Sequence, residues 1–220
     1  MKTVIDEFAD IKVMRFDVPG WDDLSLRQKE YAYHLSEAAK WGRDITWDQH
    51  CRWNLPVRHL VETILERFPG DRSSPGFESF QVYAKRLFFS SGMHHHYAES
   101  KFFPECGKDF FRSLMEASGV RDEALLEVIY SPDICPVRRC VSGEGDIVAR
   151  SSVNFYDGVT RDEVEAYLAA KGIPFVEDST NAGDGYARNR LRHRVIPALR
   201  EENPALSAAV GRAAELFRRD

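Results

Sequence analysis

The clearest pattern of apolar and polar positions lies between residues 57 and 68, where apolar side chains recur three and four residues apart. This spacing places them on one face of an α-helix, and prolines near the start and just after the end mark its limits. A second helical face begins near residue 77. The two faces are formed by Val57, Leu60, Val61, Ile64, Leu65 and Phe68, and by Phe77, Phe80, Ala84, Leu87 and Phe88.

Further helices are predicted on both sides of this pair. A capping box at residues 25–28 opens a helix that ends at Gly42, with Tyr31, Leu35 and Ala38 as its apolar stripe. A second capping box begins at Thr160. The remaining helices are predicted over residues 110–117, 122–130, 160–170, 187–202 and from 204 onward.

Two irregularities complete the predicted fold. Pro197 lies inside the helix predicted over residues 187–202, and because proline lacks a backbone N–H we expect a kink or a break there. Short strands are predicted only at residues 11–20 and 173–178. The fold class is therefore mainly α, or α+β with a few short strands: a helical N-terminal module followed by a small helical tail.

Charge adds one constraint on partners. The 220 residues carry a net charge of -5, which argues against a general attraction to nucleic acid or to anionic membrane. The excess of acid lies in residues 1–160, whereas residues 161–220 hold ten basic and ten acidic side chains. The sequence contains no apolar run of 18 residues and no leader pattern, so we expect a cytoplasmic protein with no membrane partner.

The stretch FFSSGMHHHYAESKFFP, residues 88–104, is the first candidate site. It holds His94, His95 and His96 next to Tyr97, with a pair of phenylalanines on either side. Rings of this kind favour burial, so we expect the turn to pack inward. Packing or pocket-lining histidines are the preferred interpretation. Contact with a substrate and a metal site remain alternatives, since adjacent histidines point in different directions and lack the i, i+4 spacing of helical ligands.

The four cysteines are too few for a disulfide framework, and reduced thiols are expected. Cys135 and Cys140 form a C-x4-C pair, but zinc sites of this type usually combine two such pairs. Structural thiols are therefore preferred over a zinc site.

The segment YARNRLRHRVIPALR, residues 186–200, contains five arginines and no acidic residue. On a helix Arg188 and Arg192 share one face, as do Arg190 and Arg194. Arginine binds phosphate through two parallel hydrogen bonds, so RNA or a nucleotide is one natural partner. The alternative is a solvated basic surface neutralised by Glu177, Asp178 and Glu201.

Residues from about 8 to 167 resemble the N-terminal part of bacterial dipeptidyl-peptidase III enzymes, which are zinc aminopeptidases. The blocks that carry the resemblance are FADIKVMRFDVPGWDDLSLRQKEYAYHLSEAAKWGRDI, DQHCRWNLPVRHLVETI, VYAKRLFFSSGMHHHYAESKFFPE and SVNFYDGVTRDEVEAY. The family folds into two lobes around a peptide cleft. The resemblance implies that the cleft wall includes His94, His95, His96, Tyr97, Asn154 and Tyr156.

The zinc-binding part of that family does not occur in these 220 residues. In that family the metal lies on a helix that carries two histidines with a glutamate between them, and a later helix supplies a second glutamate. In this sequence no histidine is followed by glutamate. Without zinc to polarise the carbonyl and activate water, peptide hydrolysis loses its main source of barrier reduction. We therefore assign no catalytic or metal-binding residue and expect this metallopeptidase-related module to be inactive alone.

From about residue 159 onward the chain resembles tRNA(Ile)-lysidine synthase, an ATP-dependent ligase of tRNA processing. EDSTN and YARNRLRHRVIPAL carry the resemblance. It implies polar contacts with tRNA or nucleotide from Asp178, Asn181, Arg188, Asn189, Arg192 and His193. The SGG-x-DS loop with which that family holds pyrophosphate does not occur here, so no cofactor is expected on this chain, although the two parent families use zinc and ATP.

Together these resemblances predict a composite chain, with a dipeptidyl-peptidase III-like module over residues 1–158 and a lysidine-synthase-like tail over residues 159–220. The preferred function is a peptide-facing cleft wall without peptidase activity. The alternative is an RNA-binding or tRNA-modification-related protein that acts through the arginine-rich segment. Candidate partners are a peptide, tRNA, and further copies of this chain held by apolar faces that lack their usual cover.

Overall fold

The computed structural model describes residues 3–141, 145–176, 187–206 and 210. The described residues are mainly helical, which confirms the predicted fold class. They form two compact units, Met1–Ala166 and Tyr167–Asp220. The strands are β1 (Val4–Phe8) and β2 (Ile11–Met14), and the helices are α1 (Leu26–Trp41), α2 (Arg43–His50), α3 (Asn54–Arg67), α4 (Pro75–Ser90), α5 (Lys108–Ala117), α6 (Glu123–Tyr130), α7 (Arg161–Lys171), α8 (Ala187–Arg190) and α9 (Ile196–Glu202).

Helices α3, α4, α5 and α6 enclose the core of the first unit. The predicted apolar face of α3 is buried at Val57, Leu60, Val61 and Ile64. Aromatic rings cross the core from α3 to α6, and neighbouring rings lie 5.0 to 6.2 Å apart between centroids. Each buried ring contributes roughly 1.5–3 kcal/mol, so these contacts are a main source of stability. The rings belong to Phe68, Phe77, Phe80, Tyr83, Phe111 and Tyr130.

A buried amide joins the start of α3 to the turn that follows α4. The side chain of Asn54 is fully buried; its Nδ2 donates to the Trp47 carbonyl at 3.1 Å, and its Oδ1 accepts from the Met93 N–H at 3.1 Å. Gly92 lies against this amide with φ of +147°, and a Cβ there would stand 2.3 Å from Asn54 Nδ2. Only glycine combines this backbone conformation with so close an approach.

The N-terminal 41 residues differ from two expectations. Instead of one strand over residues 11–20, β1 and β2 form an antiparallel hairpin that ends at Met14. The capping box between Ser25 and Gln28 is present, but α1 buries no residue: Tyr31 and Leu35 are exposed. Helical spacing identifies an apolar side of a helix, but it does not show that another element covers that side.

The second unit contains the interrupted helix that Pro197 predicts. Helix α8 is followed by one π-helical turn, Leu191–Val195, and then by α9, in which the proline lies in the first turn. The strand predicted at residues 173–178 is absent from the described residues 173–176. The predicted helix beyond residue 204 lies mostly outside the described residues.

The second predicted capping box belongs to the first unit. The hydrogen bonds between Thr160 and Glu163 at the start of α7 are present.

We expect Gly92→Ala to lower the free energy of unfolding by about 3 kcal/mol or more, because the new methyl group displaces the Asn54 amide from its two hydrogen bonds. Gly119→Ala is the matched control. Gly119 also has a positive φ, of +81°, but no atom lies within 4 Å of the position of its Cβ. We expect Gly119→Ala to lower the free energy of unfolding by about 1 kcal/mol. Urea unfolding measures the stability of both variants, and equal losses of stability would contradict the role of the close approach to Asn54.

Candidate functional site

The three histidines lie on a tight turn closed by backbone hydrogen bonds. The Phe102 N–H donates to the Met93 carbonyl at 3.1 Å, and the His95 N–H donates to the Ser100 carbonyl at 2.8 Å. His94 and Lys101 face each other as an isolated antiparallel bridge. The turn therefore places His94 and Lys101 on the inner side and leads the next residues outward.

His94 is buried and contacts a distant segment. Its Nε2–H donates to the carbonyl oxygen of Cys135 at 2.8 Å, 41 residues further along the chain. Burial lowers the pKa of His94 to about 4, because removal from water disfavours the charged imidazolium. This neutral, hydrogen-bonded ring contributes to packing.

His95, His96 and Tyr97 form an aromatic row at the surface of the first unit. His95 Nδ1 accepts from the N–H groups of Tyr97 and Ala98, so its Nε2 carries the proton and donates it to Asp10 Oδ2, with 3.0 Å between nitrogen and oxygen. The rings of His95 and His96 stack with centroids 4.4 Å apart, and Tyr97 continues the row with 86% of its surface exposed. The ring of Tyr97 is tilted by 48° to that of His96, and the hydrogen bonds of His95 fix the first ring of the row.

Lys101 places a positive charge in the interior. Its ammonium donates to the carbonyl oxygens of Val128, Ser131 and Ile134 at 2.5, 2.7 and 2.8 Å, at and beyond the C-terminal end of α6. Burial lowers the pKa of Lys101, but three carbonyl dipoles at a helix C-terminus favour the cation. This contact fixes the path of the chain from α6 to Cys135.

A cavity of about 350 Å³ opens beside the segment that Lys101 holds. Its lining combines polar, charged and sulfur-bearing side chains, among them Arg52, Cys135, Ser152 and Asn154. Asn154 Nδ2 donates to Asp48 Oδ2 at 3.1 Å. The lining of this cavity contains none of the three histidines, so the structure does not bring the two parts of the predicted peptide cleft together there.

Tyr156 is the remaining predicted cleft residue. Its ring is half-exposed and meets the ring of Phe155 edge to face, with centroids 4.7 Å apart. Tyr156 is not part of the lining of the cavity that contains Asn154. Its assignment to a peptide cleft stays a prediction.

Cys135, which lines the cavity, lies next to a second sulfur atom that the sequence pattern did not indicate. Cys51 Sγ lies 3.5 Å from Cys135 Sγ, although 84 residues separate them. The C-x4-C spacing pairs Cys135 with Cys140 instead. No local signal connects Cys51 with Cys135, because their proximity depends on how the 131–135 segment packs against the start of α3.

The residues predicted to contact RNA lie in the C-terminal part. Asp178 and Asn181 fall outside the described residues. The backbone at Arg188, Arg192 and His193 forms α8 and the π-helical turn, but their side chains lie outside what the structure describes. Asn189 is buried, whereas the side chains of Arg190, Arg194 and Arg200 are exposed.

Among residues 3–141, 145–176, 187–206 and 210, no group of three or more His, Cys, Asp or Glu side chains is placed to hold a metal ion. In the same part of the chain no helix is long and apolar enough to cross a membrane.

Comparison with known proteins finds a family match in the C-terminal part of the chain. Residues 156–199 match the PP-loop domain. The tRNA(Ile)-lysidine synthase of Solibacter usitatus is 40% identical over 79 residues, which are 36% of this chain and 18% of that protein. The enzyme of the same name from Geobacter sulfurreducens is 42% identical over 60 residues, 27% of this chain and 13% of the relative.

A third tRNA(Ile)-lysidine synthase, from Nitratidesulfovibrio vulgaris, is 54% identical over 44 residues, 20% of this chain and 13% of that enzyme. The chain therefore spans less than a fifth of the length of these relatives. They support the lysidine-synthase resemblance of the tail. None of the three is a dipeptidyl-peptidase, so the resemblance of residues 8–167 to that family stays a prediction.

We expect the first unit to lose stability as the pH falls from 6.5 to 4. In the unfolded chain His94 titrates near its ordinary pKa, so in this interval the unfolded state binds a proton that the folded state does not. The loss attributable to His94 is about 3 kcal/mol and levels off below pH 4. Urea unfolding at several pH values measures it.

His94→Gln is the matched variant, because glutamine keeps a donor for the Cys135 carbonyl but does not titrate. We expect a shallower pH dependence in this variant, with the remainder contributed by His50 and His96, whose pKa values burial also lowers. If the free energy of unfolding of His94→Gln fell with pH as steeply as that of the unmodified chain, the assignment of this pH dependence to His94 would be contradicted.

We expect Lys101→Met to lower the free energy of unfolding by about 3 kcal/mol, because it leaves three carbonyl oxygens without their donor. Lys85→Met is the control. Lys85 forms an exposed ion pair with Asp6, and loss of such a pair costs about 1 kcal/mol or less. Chemical denaturation of both variants gives the comparison, and a similar small loss in both would show that the Lys101 contact is dispensable.

Proposed function

We propose that the C-terminal part of this chain acts in tRNA modification by binding tRNA through the basic segment Ala187–Glu202. The observation that carries the proposal is the match of residues 156–199 to the PP-loop domain, together with the similarity to enzymes named tRNA(Ile)-lysidine synthase. It favours the tRNA-related alternative over a peptide-facing cleft wall.

The chemistry of the segment supports this proposal. Between residues 187 and 200 there are five arginines and no acidic side chain, and Arg190, Arg194 and Arg200 are exposed. Guanidinium groups bind phosphate oxygens in pairs of parallel hydrogen bonds, and neutralised phosphates release counterions, which favours binding at low salt. The net charge of the whole chain does not oppose this, because the acidic excess lies in residues 1–160.

The apolar side of the same segment is partly open. Leu191, Val195 and Leu199 are each about half-exposed among the described residues. Self-association through such faces stays a prediction.

No nucleotide chemistry is assigned to this chain. PP-loop proteins use ATP, but the 220 residues lack the SGG-x-DS loop expected to hold its pyrophosphate. The proposal is therefore limited to binding of tRNA by residues of the given sequence.

We expect the chain to bind tRNA(Ile) with an affinity that falls steeply between 50 and 200 mM salt, as for other contacts with phosphate. Arg190→Ala combined with Arg194→Ala should weaken binding at least tenfold and reduce the slope of log affinity against log salt by about 2. Fluorescence anisotropy with labelled tRNA measures both quantities.

Arg15→Ala combined with Arg27→Ala is the control, because it removes the same charge from exposed positions in the first unit. We expect no change in this variant. Absence of binding at 50 mM salt would contradict the function, and equal losses in the two double variants would contradict its assignment to residues 187–202.

A further inference from the structure

We propose that Cys51 and Cys135 form a peroxide-reactive thiol pair, in which Cys135 is the residue oxidised first and Cys51 the residue that resolves it into a disulfide. The two sulfur atoms lie 3.5 Å apart inside the first unit. This inference is independent of the tRNA proposal, since it concerns residues outside the C-terminal segment.

The two cysteines differ in access. Cys51 is fully buried, at the junction of α2 and α3. Cys135 is half-buried and belongs to the lining of the 350 Å³ cavity, which is open enough to admit a small hydroperoxide. An oxidant therefore reaches Cys135, whereas Cys51 is reached only by the neighbouring sulfur.

The surroundings favour a thiolate at Cys135. The Cys51 thiol donates a hydrogen bond to the Cys135 sulfur, and this bond lowers the pKa of Cys135 and raises that of Cys51. The positive charges of Lys101 and Arg52 also lower the pKa of Cys135, whereas burial raises it. Asp133, Arg150 and Asp157 are the other charged groups that line the cavity. Because the thiolate is the reactive form, Cys135 is the more nucleophilic member of the pair.

The chemistry balances with a hydroperoxide as the oxidant. The Cys135 thiolate attacks one peroxide oxygen, the O–O bond breaks, and the departing alkoxide or hydroxide takes up a proton. The Cys51 sulfur then attacks the Cys135 sulfenic acid: an S–S bond forms, the S–O bond breaks, and hydroxide leaves as water with the proton of Cys51. The two electrons that reduce the peroxide come from the thiol pair, and a dithiol reductant restores it.

The last step requires the sulfur atoms to approach by about 1.5 Å, from 3.5 Å to the length of a disulfide, about 2.05 Å. Cys135 lies in the 131–136 segment, which contains no helix or strand. Cys51 lies where α2 ends, outside the regular part of either helix. The approach therefore does not break an element of secondary structure.

Peptide mapping after oxidation tests the pair directly. The reduced chain is treated with hydrogen peroxide, blocked with N-ethylmaleimide and digested with trypsin without reduction. Trypsin places the four cysteines in different peptides: 44–52, 102–108, 122–138 and 140–150. We expect a cross-link between peptides 44–52 and 122–138 that dithiothreitol reverses.

Two further measurements separate the roles of the cysteines. At pH 7, Cys135 should react with iodoacetamide at least tenfold faster than Cys106, whose pKa burial raises. In Cys51→Ala, peroxide should leave a sulfenic acid on Cys135, which dimedone traps. Cys140→Ser should form the cross-link between Cys51 and Cys135 as readily as the unmodified chain.

The cross-link in the unmodified chain tests the proposed Cys51–Cys135 pair even if a variant fails to fold. Its absence from peroxide-treated chain that retains its near-ultraviolet circular dichroism would overturn the proposal. So would formation of a Cys135–Cys140 cross-link instead, or alkylation of Cys135 no faster than that of Cys106.

Discussion

The ammonium of Lys101 is the contact on which the arrangement of the first unit depends. It lies in the interior and donates to three carbonyl oxygens at and beyond the end of α6. A buried charge without partners would cost several kcal/mol, and the carbonyl oxygens of Val128, Ser131 and Ile134 would lose this donor. The lysine and the carbonyl groups at and beyond the end of α6 therefore satisfy each other.

A second contact acts on the same segment near the cavity. Lys101 lies opposite His94 across the turn, and His94 donates to the carbonyl of Cys135. The histidine turn and the 131–135 segment are thus joined by three hydrogen bonds from two side chains, and a fourth joins Lys101 to Val128 in α6. As a result Cys135 lies beside Cys51, and the second and third histidines point outward toward Asp10 and Phe89.

The two parts of the chain support different kinds of conclusion. For the C-terminal part, similarity to PP-loop and lysidine-synthase sequences supports the resemblance of the tail, whereas only part of its basic segment has described side chains. For the first unit, side-chain contacts show that His94 contributes to packing and that the sulfur atoms of Cys51 and Cys135 lie 3.5 Å apart. The resemblance of residues 8–167 to dipeptidyl-peptidase III stays a prediction about ancestry and adds no activity.

The sequence by itself determined the helices whose apolar side faces the core and the break near Pro197, because these depend on residues three to five positions apart. It also indicated the capping boxes at Ser25 and Thr160, which open helices that bury no residue. The local motifs EDSTN and YARNRLRHRVIPAL carry the resemblance of the C-terminal part to tRNA(Ile)-lysidine synthase, which the comparisons support. Only the tertiary structure decided that α1 is exposed, that His94 is buried while its neighbours are not, and that Cys51 meets Cys135 across 84 residues. Those outcomes depend on which distant segments come into contact, and periodicity along the chain carries no information about such contacts.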